Sequence, residues 1–105
     1  MKVKATTKDG KMTIYLAGEL DHNAAREAMF EIERQIDEKL PRDCVIDMSG
    51  VAFMDSSGIA VILKTYKRMH ESGGRLWVEN VPKQPMRVLD AAGIERIIRI
   101  TILSE

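Results

Sequence analysis

Cysteine is almost missing from this sequence, and the one present, Cys44, has no partner for an internal disulfide. A reducing, cytoplasmic setting is the expectation that follows. Only 5% of residues are aromatic and they do not interleave with basic ones, which argues against stacking on single-stranded nucleic acid. Charge of one sign is missing too. Sixteen Lys and Arg balance sixteen Asp and Glu, so no global field draws the chain to nucleic acid or an anionic membrane. No apolar run approaches the roughly 20 residues that span a bilayer. The opening "MKVKATTKDGK" lacks the apolar centre of a secretory signal. His22 and His70 are the only histidines, and with a lone cysteine they form no ligand cluster. Metal is not expected, nor is a cofactor: neither G-x-x-x-x-G-K-[ST] nor G-x-G-x-x-G occurs.

What is present reads as one domain over residues 1–105, 45% hydrophobic and 30% charged, long enough to bury a core unaided. Residues 2–7 and 11–17 alternate in polarity around Asp9-Gly10, a two-residue hairpin signal, with Met12, Ile14 and Leu16 on one face. "GELDHN" breaks the alternation, and Asp21 or Asn23 can cap a helix. Ala25, Met29, Ile32, Ile36 and Leu40 give that helix its apolar stripe, and Pro41 follows its end. "CVIDM" (44–48) reads as a buried strand. Ile59, Ile62, Leu63, Tyr66 and Met69 then define a second helix face, stopped by Gly73-Gly74. "RLWVEN" (75–80) predicts a strand, "VPKQPMRVLDAAG" a helix closed by Gly93, and "RIIRITI" a last strand. The order ββαβαβαβ predicts an α/β fold: a mixed sheet opened by a β-hairpin, then alternating helices and strands with right-handed crossovers.

The chemistry concentrates in Asp55-Ser56-Ser57-Gly58, between the 44–48 strand and the second helix. Asp and Ser are helix-capping residues, so a purely structural role is one reading. Position supports more, because open α/β sheets bind ligands and partners at the carboxyl ends of their strands. Serine hydroxyls at a helix start also sit near free amides and a positive dipole end, which favours an added phosphate. Nucleophilic catalysis fits poorly. The stretch is not a G-x-S-x-G elbow, and a serine nucleophile needs an oriented base. His70 lies several turns along the helix from Ser57. His22 follows Asp21 in a loop that can approach the serines, and remains open as a neighbour. Ser57 reads as a recipient and the protein as no enzyme.

"GELDHNAA", "VIDMSGVAFMDSSGIAVILKTYKRM", "GGRLWVENV" and "MRVLDAAGIERIIRI" resemble, in order and spacing, the bacterial anti-sigma-factor antagonists of the STAS domain family, the sporulation type above all. The resemblance covers nearly the whole chain, and "FMDSSG" about thirty-five residues after "GELD" is its most specific part. It implies partner switching. The unmodified antagonist binds an anti-sigma factor that is also a serine kinase, and so releases a sigma factor. The kinase uses ATP to phosphorylate the second serine of the motif, and a PP2C-type phosphatase resets it. Carried over by position, the acceptor is Ser57, and Asp21, Asp55, Ser56, Ser57 and Gly58 belong to the partner surface. One departure is "VPKQP", where the family's third helix often begins with Ser-Pro. Alternatives are a non-switching STAS scaffold, a small-ligand or nucleotide-sensing module, and a hydrolase using Ser57.

Two further expectations concern single residues. Cys44 should be buried and inert, since it opens an apolar strand with no basic neighbour on its face. Ala60 and Val61 fall off the second helix's stripe, toward the side of Lys67 and Arg68. Val61 then either packs under a neighbouring helix or joins the partner surface. A place on the partner surface is expected for Val61.

Overall fold

The computed structural model describes residues 1–104. Strands β1 (Lys2–Lys8) and β2 (Lys11–Leu20) form the hairpin, with Lys8 paired to Lys11. Asp9 and Gly10 between them have φ of 52° and 79°, the left-handed pair that a tight two-residue turn requires. The chain continues through α1 (His22–Lys39), β3 (Asp43–Met54), α2 (Ser56–Glu71), β4 (Arg75–Val81) and α3 (Lys83–Ala91). A single 3-10 turn at Ile94–Arg96 precedes β5 (Ile100–Ile102). The sheet order is β1-β2-β3-β4-β5, with the first pair antiparallel and the others parallel. The expected α/β order ββαβαβαβ is therefore the observed one.

Every crossover moves one strand along the sheet in the same direction, so crossovers of one hand bring all the helices to one face. Alternate strand residues meet them there: Met12, Ile14 and Leu16 from β2, Cys44, Ile46 and Met48 from β3, Leu76 and Val78 from β4. Burial pushes the Cys44 thiol up to about 12, as an apolar site does to any group that must ionise. On the opposite face Asp43 takes two hydrogen bonds from the Arg75 guanidinium, both at 3.1 Å. No helix among the described residues is long and apolar enough to cross a membrane.

Four local expectations need correction. Leu40 is not on the buried stripe of α1; it is 74% exposed, in a left-handed cap conformation (φ 47°) with its amide on the Ile36 carbonyl. A residue that ends a helix this way turns its side chain off the helical face. The buried stripe of α2 is Gly58, Val61, Ile62, Thr65 and Met69, while Ile59, Leu63 and Tyr66 are only half-buried. Counting 100° per residue, the stripe is turned by about 80° from the expected one. The cause is α1, which packs along one flank of α2 and takes Val61 into the seam.

Strand β3 is also longer than 44–48, running on to Met54. Its pairing with β2 is interrupted twice, and an added Cβ at Gly50 would sit 2.8 Å from the Ala17 Cβ. Gly50 thus sits in a strand irregularity that lets two backbones approach. Finally, only the last three residues of "RIIRITI" form a strand. Gly93 (φ 69°) starts the 3-10 turn, and the Ile98 amide bonds to the Ile94 carbonyl at 2.9 Å, a helical spacing that buries both isoleucines.

Candidate functional site

Strands β2 and β3 are parallel and end together: Leu20 pairs with Met54, and the Asp55 amide reaches the Leu20 carbonyl at 3.4 Å. The next residue on each is an aspartate with extended backbone, and each caps the helix that follows. Asp21 Oδ1 accepts from the Ala24 amide at 2.9 Å, and Asp55 Oδ1 accepts from the Ser57 amide at 2.8 Å. Two capped helix starts thus lie side by side at the carboxyl edge of the sheet. Their dipoles place partial positive charge at this edge, and the cap carboxylates answer part of it.

The remaining motif residues divide by burial. Ser56, the first residue of α2, is exposed, and Ser57 is half-buried. Gly58 is buried, and a Cβ there would collide with the Met54 side chain and approach Leu20. Its place in the motif is explained by close helix-to-strand contact, and its buried position removes it from the expected partner surface. Val61 is likewise corrected. It is 2% exposed and packs among the core residues, so its side chain is turned inward and not toward a partner. The exposed apolar groups beside the motif include Ala60 and Phe53, the latter 42% exposed. Phe53 precedes Met54 on β3, and alternation sends its side chain away from the core that holds Met54.

The sequence reading missed Gln84. This residue of α3 accepts from the Met54 amide through Oε1 and donates to the Met54 carbonyl through Nε2, both at 2.9 Å. It therefore holds the strand end one residue before the aspartate cap. The only hint was "VPKQP" itself, a polar amide at the start of a helix. No spacing rule connects position 84 to position 54.

Of the two histidines, His70 stacks on Tyr66, with ring centroids 5.9 Å apart, at the far end of α2. His22 is exposed at the start of α1 and shares a shallow cleft with Ser57. Among the described residues no hydrogen bond joins an imidazole to the Ser57 hydroxyl. Also among the described residues, no group of three or more His, Cys, Asp or Glu is placed to hold a metal.

Fold and site together define a small α/β domain that presents a serine-bearing helix start at the carboxyl edge of its sheet. The chain belongs to the STAS domain family, whose profile matches residues 2–104. It is 33% identical to an anti-sigma F factor antagonist of Paenibacillus polymyxa over 87% of this chain and 78% of that protein. It is 30% identical to an anti-sigma-B factor antagonist of Bacillus subtilis, covering 100% of this chain and 94% of the relative. Among solved structures, the anti-sigma factor antagonist SpoIIAA in its unphosphorylated form superposes with a TM-score of 0.80 at 22% identity, over 94% of this chain and 87% of that one. An anti-sigma factor antagonist from Mycobacterium paratuberculosis gives 0.85 at 22%, over 95% and 84%. At such identity the two structures speak for the fold.

Proposed function

We propose that this protein is a phosphorylation-controlled anti-sigma-factor antagonist. In its unmodified form it binds an anti-sigma factor that is also a serine kinase, and a sigma factor is released. The kinase transfers the γ-phosphoryl group of ATP to the Ser57 hydroxyl, leaving ADP, and the complex separates. A PP2C-type phosphatase hydrolyses the phosphoester and returns the protein to its binding form.

The names of the relatives support the antagonist role, and one observation supports the choice of serine. Ser57 sits one residue inside α2, with its amide tied to Asp55 and its side chain on the rim of a cleft between two helix starts. A hydroxyl there is reachable by an enzyme while its backbone is anchored at the Asp55 cap, and added negative charge is favourable at a helix start. Phosphate brings about −1.5 to −2 charge and three acceptor oxygens into a surface the partner must desolvate. Each ~1.4 kcal/mol of that cost lowers affinity tenfold, so a complex can be switched off without unfolding either protein.

The deciding experiment is incubation with an anti-sigma serine kinase and ATP, followed by intact mass and site localisation. One added phosphate on Ser57, with loss of the complex, is the expected result. No phosphate, together with stable binding of a small ligand, would favour a sensing module. Phosphate on Ser56 alone would overturn the assignment of the acceptor.

A further inference from the structure

The cleft beside Ser57 is more basic than its motif suggests. It measures about 170 Å³ and lies between α1 and α2, with Met29 and Val61 among its apolar lining. Its polar lining comes from His22 and Arg26 of α1 and from Ser57 and Lys64 of α2, with no carboxylate among the described lining residues. Asp21 and Asp55 direct Oδ1 to helix amides, and Glu27, which follows Arg26, is not among the lining residues. Arg26 and Lys64 make no ion pair among the described residues, whereas Arg34 and Arg68 of the same two helices are engaged by Glu31, Glu38 and Asp37.

We propose that the phosphoryl group on Ser57 is clamped within the protein by Arg26 and Lys64, one from each helix, and that this closes the α1–α2 cleft. The inference rests on the reading of Ser57 as the phosphoacceptor, and it specifies how the modified form is held. Lys64 lies two turns beyond Ser57 on the same helical face, about 10 Å up the axis, and helical side chains lean back toward the N-terminus. Between them stands Ala60, too small to obstruct the ammonium. Arg26 approaches from the facing wall with a planar fork suited to two phosphate oxygens. Since a water molecule occupies roughly 30 Å³ of liquid, the cleft has room for a tetrahedral oxyanion. A phosphate held this way ties the starts of α1 and α2 together and fills a recess that unmodified protein leaves open to a partner's side chain.

The test does not depend on any kinase. Phosphoserine is installed at position 57 during translation, and its second ionisation is followed by phosphorus NMR in wild type and in the Arg26→Gln/Lys64→Gln double variant. Both substituted residues are exposed, so the double variant should fold, and its midpoint without phosphate checks this. His22 also lines the cleft, so each comparison is repeated with His22→Gln. Two nearby cations should hold the phosphate pKa about one unit lower in wild type than in the double variant. They should also make phosphate raise the thermal midpoint of wild type but not of the variant. Equal phosphate pKa values in the two proteins would overturn the clamp. A native kinase that leaves Ser57 unmodified would instead defeat the proposed function, and the installed phosphate would still report on the cleft.

Discussion

Gln84 is bonded to both backbone groups of Met54, accepting from its amide and donating to its carbonyl at 2.9 Å each. One side chain of α3 therefore fixes the strand end from which Asp55 and Ser57 are hung. Gln84→Ala leaves a partly buried amide and carbonyl without their partner, at a cost of about 1–3 kcal/mol. For a domain of this size that is a fall in midpoint of roughly 4–8 °C per kcal/mol. Thermal unfolding checks the first effect. A kinase assay checks the second, slower phosphorylation of Ser57. An unchanged midpoint would show that water replaces the amide without loss.

Val61→Glu should unfold the protein long before it disturbs a partner. Val61 is 2% exposed in the α1–α2 seam, and a carboxylate there must give up most of its hydration. The expected loss is about 3 kcal/mol or more, read as a large drop in midpoint or as insoluble protein. Val61→Ala, which only leaves a small void, should cost about 1–3 kcal/mol and keep the fold. A Glu variant with a normal midpoint would place the side chain outside the seam.

Ser57→Asp should bind an anti-sigma kinase at least tenfold more weakly than Ser57→Ala, measured by titration calorimetry. The acid is well tolerated by the fold because it stands at a helix start. The alanine variant should bind persistently, since ATP can no longer release it. Equal affinities would argue against a switch driven by charge.

Cys44 should resist thiol reagents in the native state and react once unfolded. Its thiol is raised from 9.0 to about 12 by burial, so the folded protein keeps the proton while the unfolded chain gives it up. Its contribution to stability is fully present below pH 9.0 and is lost as pH rises toward 12. Stability of wild type should decline over that window more than that of Cys44→Ala. Rapid labelling at pH 8 in native buffer would contradict the buried site.

The elements were legible because their signals are local. Asp9-Gly10 demands a left-handed turn wherever it lies, and Asp21 and Asp55 each find their amides within three residues. The order of strands and helices then leaves few sheets to choose among. Breaks were harder to read. Ser49-Gly50 has turn chemistry, yet β3 passes through it because Gly50 accommodates Ala17 of the neighbouring strand. "RIIRITI" alternates well enough for a strand, yet Ile94 and Ile98 are drawn in together by a helical turn.

The sequence alone therefore determined the order of elements, and it narrowed the helix caps to Asp21 or Asn23 and to the Asp and Ser of the second start. These depend on backbone conformation and on groups a few residues apart. Only the tertiary structure decided which side of α2 is buried, because the flank α1 covers cannot be deduced from α2's own pattern. It alone carried Gln84 to Met54, thirty residues away, and set Arg26 and Lys64 on opposite walls of one cleft. Long-range contacts of this kind are products of how helices pack on a sheet. No spacing within a single helix encodes its neighbour.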